Sequence, residues 1–196
     1  MSVPPAPPLL LVSTSPQRRA ILTQLGIPFE LAEPLYEEHD PPDADPLALV
    51  REHAAGKARS IGQPDERPVL GVDTAVHLAG RVFGKPAGPE EAEEMLDALG
   101  GRTHEVVSGL CVRTPGWDVV EHEVTRVSFR ALTPRDLAAY VGSGEWEGRA
   151  GGYAIQGLGG SLVERIDGDY LNVVGLPAAL LVKLLSERFA GVYGFG

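Results

Sequence analysis

The 196-residue chain carries a single cysteine, Cys111. One thiol cannot close an intramolecular disulfide or supply a cysteine-rich metal site. No apolar run approaches the roughly 20 residues a helix needs to cross a bilayer. The opening MSVPPAPP lacks the positive charge and long apolar stretch of a secretory signal. Residues 1–8 therefore read as a loose leader, ahead of a single domain over 9–196. These absences point to the cytoplasm and away from a membrane. Basic residues are also scarce: 17 against 27 acidic ones, a formal net charge of −10. A binder of nucleic-acid polymer needs a broad basic surface to displace counterions. Any basic site here must be local, which suits a small anionic ligand. The GxxxxGK[ST] phosphate loop, HExxH and GxSxG are all missing. The five histidines show no ligand spacing, and His104 reads as structural.

What is present is enough apolar material for a sizeable core, 43% of residues. Leu9 to Val12 reads as a buried strand. Ser15 then reads as an N-cap, Pro16 as the first helical residue and Gly26 as the stop. Further strands are expected over 29–32, 69–72, 76–78, 81–83, 106–112, 119–129, 153–155, 162–166 and 170–173. Helices are expected over 47–60, 90–99 and 177–189, and behind a Thr133/Asp136 capping box. Ala79-Gly80 reads as a hairpin turn. The prolines and aspartates from Asp40 to Pro46 read as a loose acidic loop. Helices and strands alternate, which predicts an α/β or α+β chain around a mixed, curved central sheet.

Three segments carry the polar chemistry. In "LLLVSTSPQRRAIL" a strand hands over to a helix through Ser13, Thr14 and Ser15. Helix N-termini present free N–H groups and partial positive charge. With serine hydroxyls and the Arg18 fork, they can cradle phosphate; an ordinary capped helix with surface arginines is the plain alternative. In "VLGVDTAVHLAGRVFGKP" Asp73 is expected where a buried strand ends, and Lys85 lies in a turn that can reach the same ligand. A strand-end cap and a surface lysine would look the same. In "RAGGYAIQGLGG" five of twelve residues are glycine, so backbone can approach a ligand closely. Gln156 is expected in a half-buried pocket. Its amide can donate to one atom and accept from the next, matching the pairing edge of uracil or thymine. Glu37, Glu38 and Lys57 complete the candidates, and Cys111 reads as core filler.

Taken in order, "LVSTSPQRRAILTQLGIPF", "AAGKA", "GVDTAV", "GKP", "EEAEEMLDALGGRTHEV", "AGGYAIQG" and "GDYLNVVGLP" resemble the Maf family of nucleoside triphosphate pyrophosphatases. The resemblance runs from about Leu10 to Leu185. It implies an α/β fold shared in outline with inosine triphosphate pyrophosphatases, with two lobes and a cleft between them. It implies cleavage between the α and β phosphates and a divalent cofactor, Mg2+ or Mn2+. The family's proton acceptor falls on Asp73, and its substrate-binding residues fall on Ser13, Arg18, Lys57 and Lys85. Glu38, with Glu37 beside it, falls on the loop carboxylate, so Glu38 and Asp73 are the implied metal ligands. Gln156 matches the branch acting on dTTP and UTP, and Gln17 and Thr74 fall on other positions tied to base choice. Gln17 replaces the usual arginine, Arg149 the usual lysine, and Trp146 the usual proline. A homodimer is implied by the resemblance alone. The rival readings are a non-catalytic nucleotide-binding regulator of cell division or septum formation, and a phosphatase releasing single phosphates.

Overall fold

The computed structural model describes residues 6–39, 41, 44–62 and 65–195. Leader residues 1–5, and Asp40, Pro42 and Asp43 of the acidic loop, lie outside the described residues. Within the leader, Ala6 packs against the core and the Pro7 carbonyl accepts from the Tyr193 hydroxyl at 2.9 Å. No helix among the described residues is long and apolar enough to cross a membrane.

Seven strands form one open mixed sheet: β1 (Leu9–Val12), β2 (Phe29–Ala32), β3 (Val69–Leu78), β4 (Arg81–Phe83), β5 (Thr103–Arg113), β6 (Asp118–Phe129) and β7 (Val163–Asp167). Their order is β2-β1-β3-β5-β6-β7, with β4 also on β3. Only β1 runs parallel to its neighbours, β2 and β3. Helices α1 (Pro16–Gln24), α2 (Pro46–Ser60), α3 (Pro89–Leu99), α4 (Pro134–Ser143), α5 (Tyr170–Val174) and α6 (Ala178–Phe189) flank it. The expected mixed α/β class holds.

One edge of β3 explains where the site lies. β1 covers β3 only at residues 69–71. β4 covers the same edge only at 76–78, because β5 occupies the other edge from 69 to 77. Residues 72–75 thus have no strand beside them on that edge. The C-termini of β1 and β4 face each other across this notch, and the chain leaves β1 at Ser13 and β4 at Gly84. Ligands gather where parallel strands stop at their carboxyl ends, since backbone groups and helix N-termini are free there.

Side chains alternate along β3. Gly71, Asp73 and Ala75 face α2, beside their ladder partners Cys111, Gly109 and Val107. A Cβ on Gly71 would overlap the Ala54 carbonyl, and one on Gly109 the Val50 carbonyl. Both glycines are needed for α2 to lie directly on the sheet. On the opposite face Leu70 and Val72 join Leu110 and Val112 under α1 and α6. Farther along, Val76 and Val106 join the residues of α3 and α4. Thr74 and its partner Ser108 sit between these two apolar halves, and the cleft opens above them.

The hairpin at Ala79-Gly80 is present, with φ of 50° and 87° as a two-residue primed turn requires. The Thr133/Asp136 capping box is complete. Three expectations fail. The strands expected over 69–72 and 76–78 are one ten-residue strand, because β5 pairs continuously past Asp73. Residues 153–155 form no strand; they link two 3₁₀ turns, Ala150–Gly152 and Leu158–Leu162. Residues 170–173 belong to helix α5, since Asp169 caps the Leu171 N–H and Gly175 stops the helix. The buried Asn172 amide then donates to the Val106 carbonyl and to Thr125 Oγ1, both at 3.0 Å.

His104, 1% exposed, packs edge-on to Phe129 and Tyr153, and its Nε2 lies 2.9 Å from the Tyr153 hydroxyl. This contact ties the glycine-rich segment to β5. Burial pushes the imidazole down to about 4. An unfolded histidine titrates near 6.5, so below that pH the unfolded chain takes up a proton that the folded chain refuses. Stability should be unaffected above the unfolded value. It should decline by on the order of 3 kcal/mol as pH falls towards 4. Urea unfolding of the protein and of His104→Gln across about pH 4–7 checks this, because the variant should lose most of that slope. Cys111 is fully buried and its thiol is pushed up to about 11, so it is an inert core residue.

Candidate active site

Ser13 is the first residue beyond β1, and its position follows from the apolar run stopping there. Its Oγ accepts from the Ser15 N–H at 3.1 Å and from Arg18 Nη1 at 3.3 Å. Ser15 caps α1 through the Arg18 N–H and gives its own hydroxyl to Gln17 Oε1 at 3.1 Å. One turn into α1, Arg18 faces β3. Its Nε donates to the Gly175 carbonyl at 2.8 Å and its Nη2 to Thr74 Oγ1 at 3.2 Å. Thr74 Oγ1 is also 2.9 Å from Ser108 Oγ. Burial pulls the Arg18 guanidinium below its ordinary value, while the charges of Asp73 and Glu38 pull it back up. An arginine held at three points by neutral oxygens keeps its charge available to a ligand.

A second cation, Lys57, is clamped differently. Lys57 reaches forward from the last turn of α2 and is 7% exposed. Its Nζ sits 2.6 Å from Asp73 Oδ1 and 2.6 Å from Glu38 Oε1. Glu38, not its neighbour Glu37, is the loop carboxylate that makes this pair. Asp73 is 9% exposed and lies in mid-strand, not at the strand end the sequence suggested. It lies beneath Lys57, not on the cavity wall. Hydrogen bonding to Lys57 offsets the cost of placing a carboxylate inside an apolar strand.

Lys85 leaves β4 on the far side of the notch and is exposed at the cavity mouth. The glycine-rich segment closes the opposite wall. The Gly151 N–H donates to the Gly84 carbonyl at 3.0 Å, and a Cβ on Gly151 would press on Val76. Gln156 lines the same cavity, but it is exposed at the open rim instead of half-buried, because the turns around it fold the backbone and leave the side chain outward. The cavity measures about 620 Å³, within the range for small-molecule sites. Ser13, Gln17, Arg18, Lys57, Thr74 and Lys85 all reach it, with Glu38 and Gln156 at its edges.

The sequence alone did not single out Ser108, the Gly175 carbonyl or Glu145. Ser108 had a signal, a lone hydroxyl inside the apolar run VVSGLCV. In the sequence Arg149 stands out only as a replacement of the family's usual lysine. It lines the cavity, and its Nε is buried without a hydrogen-bond partner among the described residues. Such an orphaned donor suits an anionic ligand.

Among the described residues no three His, Cys, Asp or Glu side chains gather as a metal cage. Glu38 and Asp73 are the two carboxylates that face one position, now held by the Lys57 ammonium. That donor set fits magnesium, which takes one or two carboxylates and completes its shell with phosphate and water. The arrangement can hold a triphosphate by charge and place a carboxylate beside it.

A 182-residue alignment with a dTTP/UTP pyrophosphatase of Gloeobacter violaceus is 48% identical and covers 91% of this chain and 95% of that protein. One from Deinococcus radiodurans is 43% identical over 192 residues, 97% of each chain. The solved structure of a HAM1 protein from Coxiella burnetii aligns at 15% identity over 62% of this chain and 72% of that one, with a TM-score of 0.40. The model of the Maf-like proteins matches residues 8–188, a span that takes in every cavity-lining residue named above, and on that match the chain belongs to the Maf family.

Proposed function

We propose that the protein hydrolyses dTTP and UTP to the nucleoside monophosphate and pyrophosphate. The observation that carries this is a cavity where Ser13, Arg18, Lys57 and Lys85 converge, in a chain whose relatives across nearly their full length are named dTTP/UTP pyrophosphatases. Ser13, Arg18 and the α1 N-terminus hold the phosphate tail. Lys85 and Arg149 approach it from the far wall. The incoming triphosphate competes with Asp73 and Glu38 for the Lys57 ammonium. As Lys57 turns to the leaving pyrophosphate, Asp73 Oδ1 is released to accept a proton from water. The water oxygen forms a bond to the α-phosphorus, the bond to the bridging α–β oxygen breaks, and the electron pair leaves with pyrophosphate. Rate enhancement comes from positioning and fixed charge. Glu38 and Asp73 would hold the divalent ion, Mg2+ or Mn2+, which would supply charge neutralisation at the phosphates. Gln156 at the rim meets the base, and its amide pairs with the adjacent donor and acceptor of uracil or thymine.

One assay tests the reading: purified protein, Mg2+ or Mn2+, and a panel of ordinary and modified triphosphates, with pyrophosphate and orthophosphate measured separately. Pyrophosphate from dTTP and UTP in preference to the rest is expected. Orthophosphate alone would replace it with a phosphatase, and binding without turnover with a regulator.

A further inference from the structure

We infer that Glu145 is a positioning residue for base choice: its carboxylate sets the course of the loop that presents Gln156. The inference rests on Gln156 meeting the base. Among the described residues no hydrogen bond holds the Gln156 side chain, so where its amide can reach is decided by the backbone beneath it. That backbone is pinned on both sides. Upstream, the Ala154 N–H donates to the Tyr140 hydroxyl at 2.8 Å. Downstream, Glu145 Oε1 accepts from the Leu158 N–H at 2.9 Å and Oε2 from the Gly159 N–H at 3.2 Å. The two carboxylate oxygens thus take one backbone donor each, and hydrogen bonds to a charged acceptor are the stronger kind. Gly157 lies against the carboxylate face, where any Cβ would overlap Oε1.

Both anchors come from one place. Tyr140 is in the last turns of α4 and is 1% exposed. Glu145 follows Gly144, the left-handed residue that ends α4 with φ 75°. The Glu145 N–H donates to Ser143 Oγ at 3.2 Å, which holds Glu145 itself in place. Burial is the main reason the Tyr140 phenol is pushed up to about 12. The rigid end of α4 therefore holds the Gln156 loop at the cavity rim by three backbone N–H groups. Removing Glu145 frees two of the three and removes no hydrogen bond of Ser13, Arg18 or Lys57.

The experiment measures kcat and KM for dTTP, UTP, CTP and GTP with the full-length protein and with Glu145→Ala, Glu145→Gln and Gln156→Ala. Glu145→Ala should raise KM for dTTP and UTP by about tenfold, and shrink their preference over CTP and GTP by about as much. Its kcat should stay within about threefold, since the contacts that hold Ser13, Arg18, Lys57 and Asp73 do not involve Glu145. Glu145→Gln keeps one acceptor oxygen and should fall between. Should Glu145→Ala fail to fold by circular dichroism, Gly157→Ala crowds the same carboxylate with every polar group retained and should show the same loss of selectivity. An unchanged selectivity in Gln156→Ala would remove the base-reading premise itself. Flattened selectivity in Gln156→Ala with none in Glu145→Ala, or an equal loss of kcat on all four nucleotides in Glu145→Ala, would overturn the positioning role.

Discussion

Asp73→Asn should yield a folded protein that releases pyrophosphate about 100- to 10,000-fold more slowly, the usual worth of a positioned general base. The substitution is nearly isosteric, so the packing of α2 on Gly71 and Gly109 need not change. Lys57 keeps its second partner, Glu38, at 2.6 Å, so no buried cation is left unpaired. What disappears is the carboxylate proposed to accept the proton of the attacking water. The loss should therefore fall on kcat, with KM for the nucleotide within a few-fold, because Ser13, Arg18 and Lys85, the proposed phosphate-binding residues, are unchanged. Single-turnover measurement of pyrophosphate release, together with a melting curve for the variant, makes the distinction. A near-normal rate would assign the proton to another group.

Lys57→Met should damage both stability and turnover. Without the ammonium, the Glu38 and Asp73 carboxylates face one another with no cation between them. The side chain of Glu38 is 42% exposed and can turn to water, whereas that of Asp73 is 12% exposed and cannot. Breaking a fully buried pair costs about 3–5 kcal/mol; with one partner wet, about 2 kcal/mol is expected here. Turnover should fall by about 100-fold or more, since the charge proposed to meet the leaving pyrophosphate is gone. The double variant Lys57→Met/Asp73→Asn separates the two effects. It should regain most of the lost stability, as the stranded charge is removed, and none of the activity. Denaturant unfolding of the four proteins in the cycle measures the first, and pyrophosphate release the second. Equal stability of Lys57→Met and the parent protein would mean that the pair contributes nothing to the fold.

The parts of the molecule legible in the sequence are those whose cause is local. The handover at Ser13 to Pro16 is visible because capping residues, the helix-start proline and the end of the apolar run all lie within a few positions. The Ala79-Gly80 turn and the Thr133/Asp136 box are short-range hydrogen-bond devices and appear as expected. Failures occur where distant chain decides. Residues 170–173 have the Tyr, Leu and Val composition of a strand, yet the Asp169 cap and the docking of Asn172 on Val106 and Thr125 make them a helix. β3 continues through Asp73 because β5 supplies a ladder and α2 supplies Lys57, and neither is adjacent in the chain.

The same division runs through the site. Which residue types could meet a phosphorylated ligand was written in the order of short motifs, because a phosphate needs donors and cations whatever the fold around it. That Ser13 and Lys85 come from two strand ends facing across a gap in the β3 edge was decided only by the sheet. So were the placing of Lys57 between two carboxylates and the tethering of Gln156 to the end of α4. Side-chain chemistry is carried by each residue alone, but distance between residues far apart in the chain exists only once strand register and helix packing have set it.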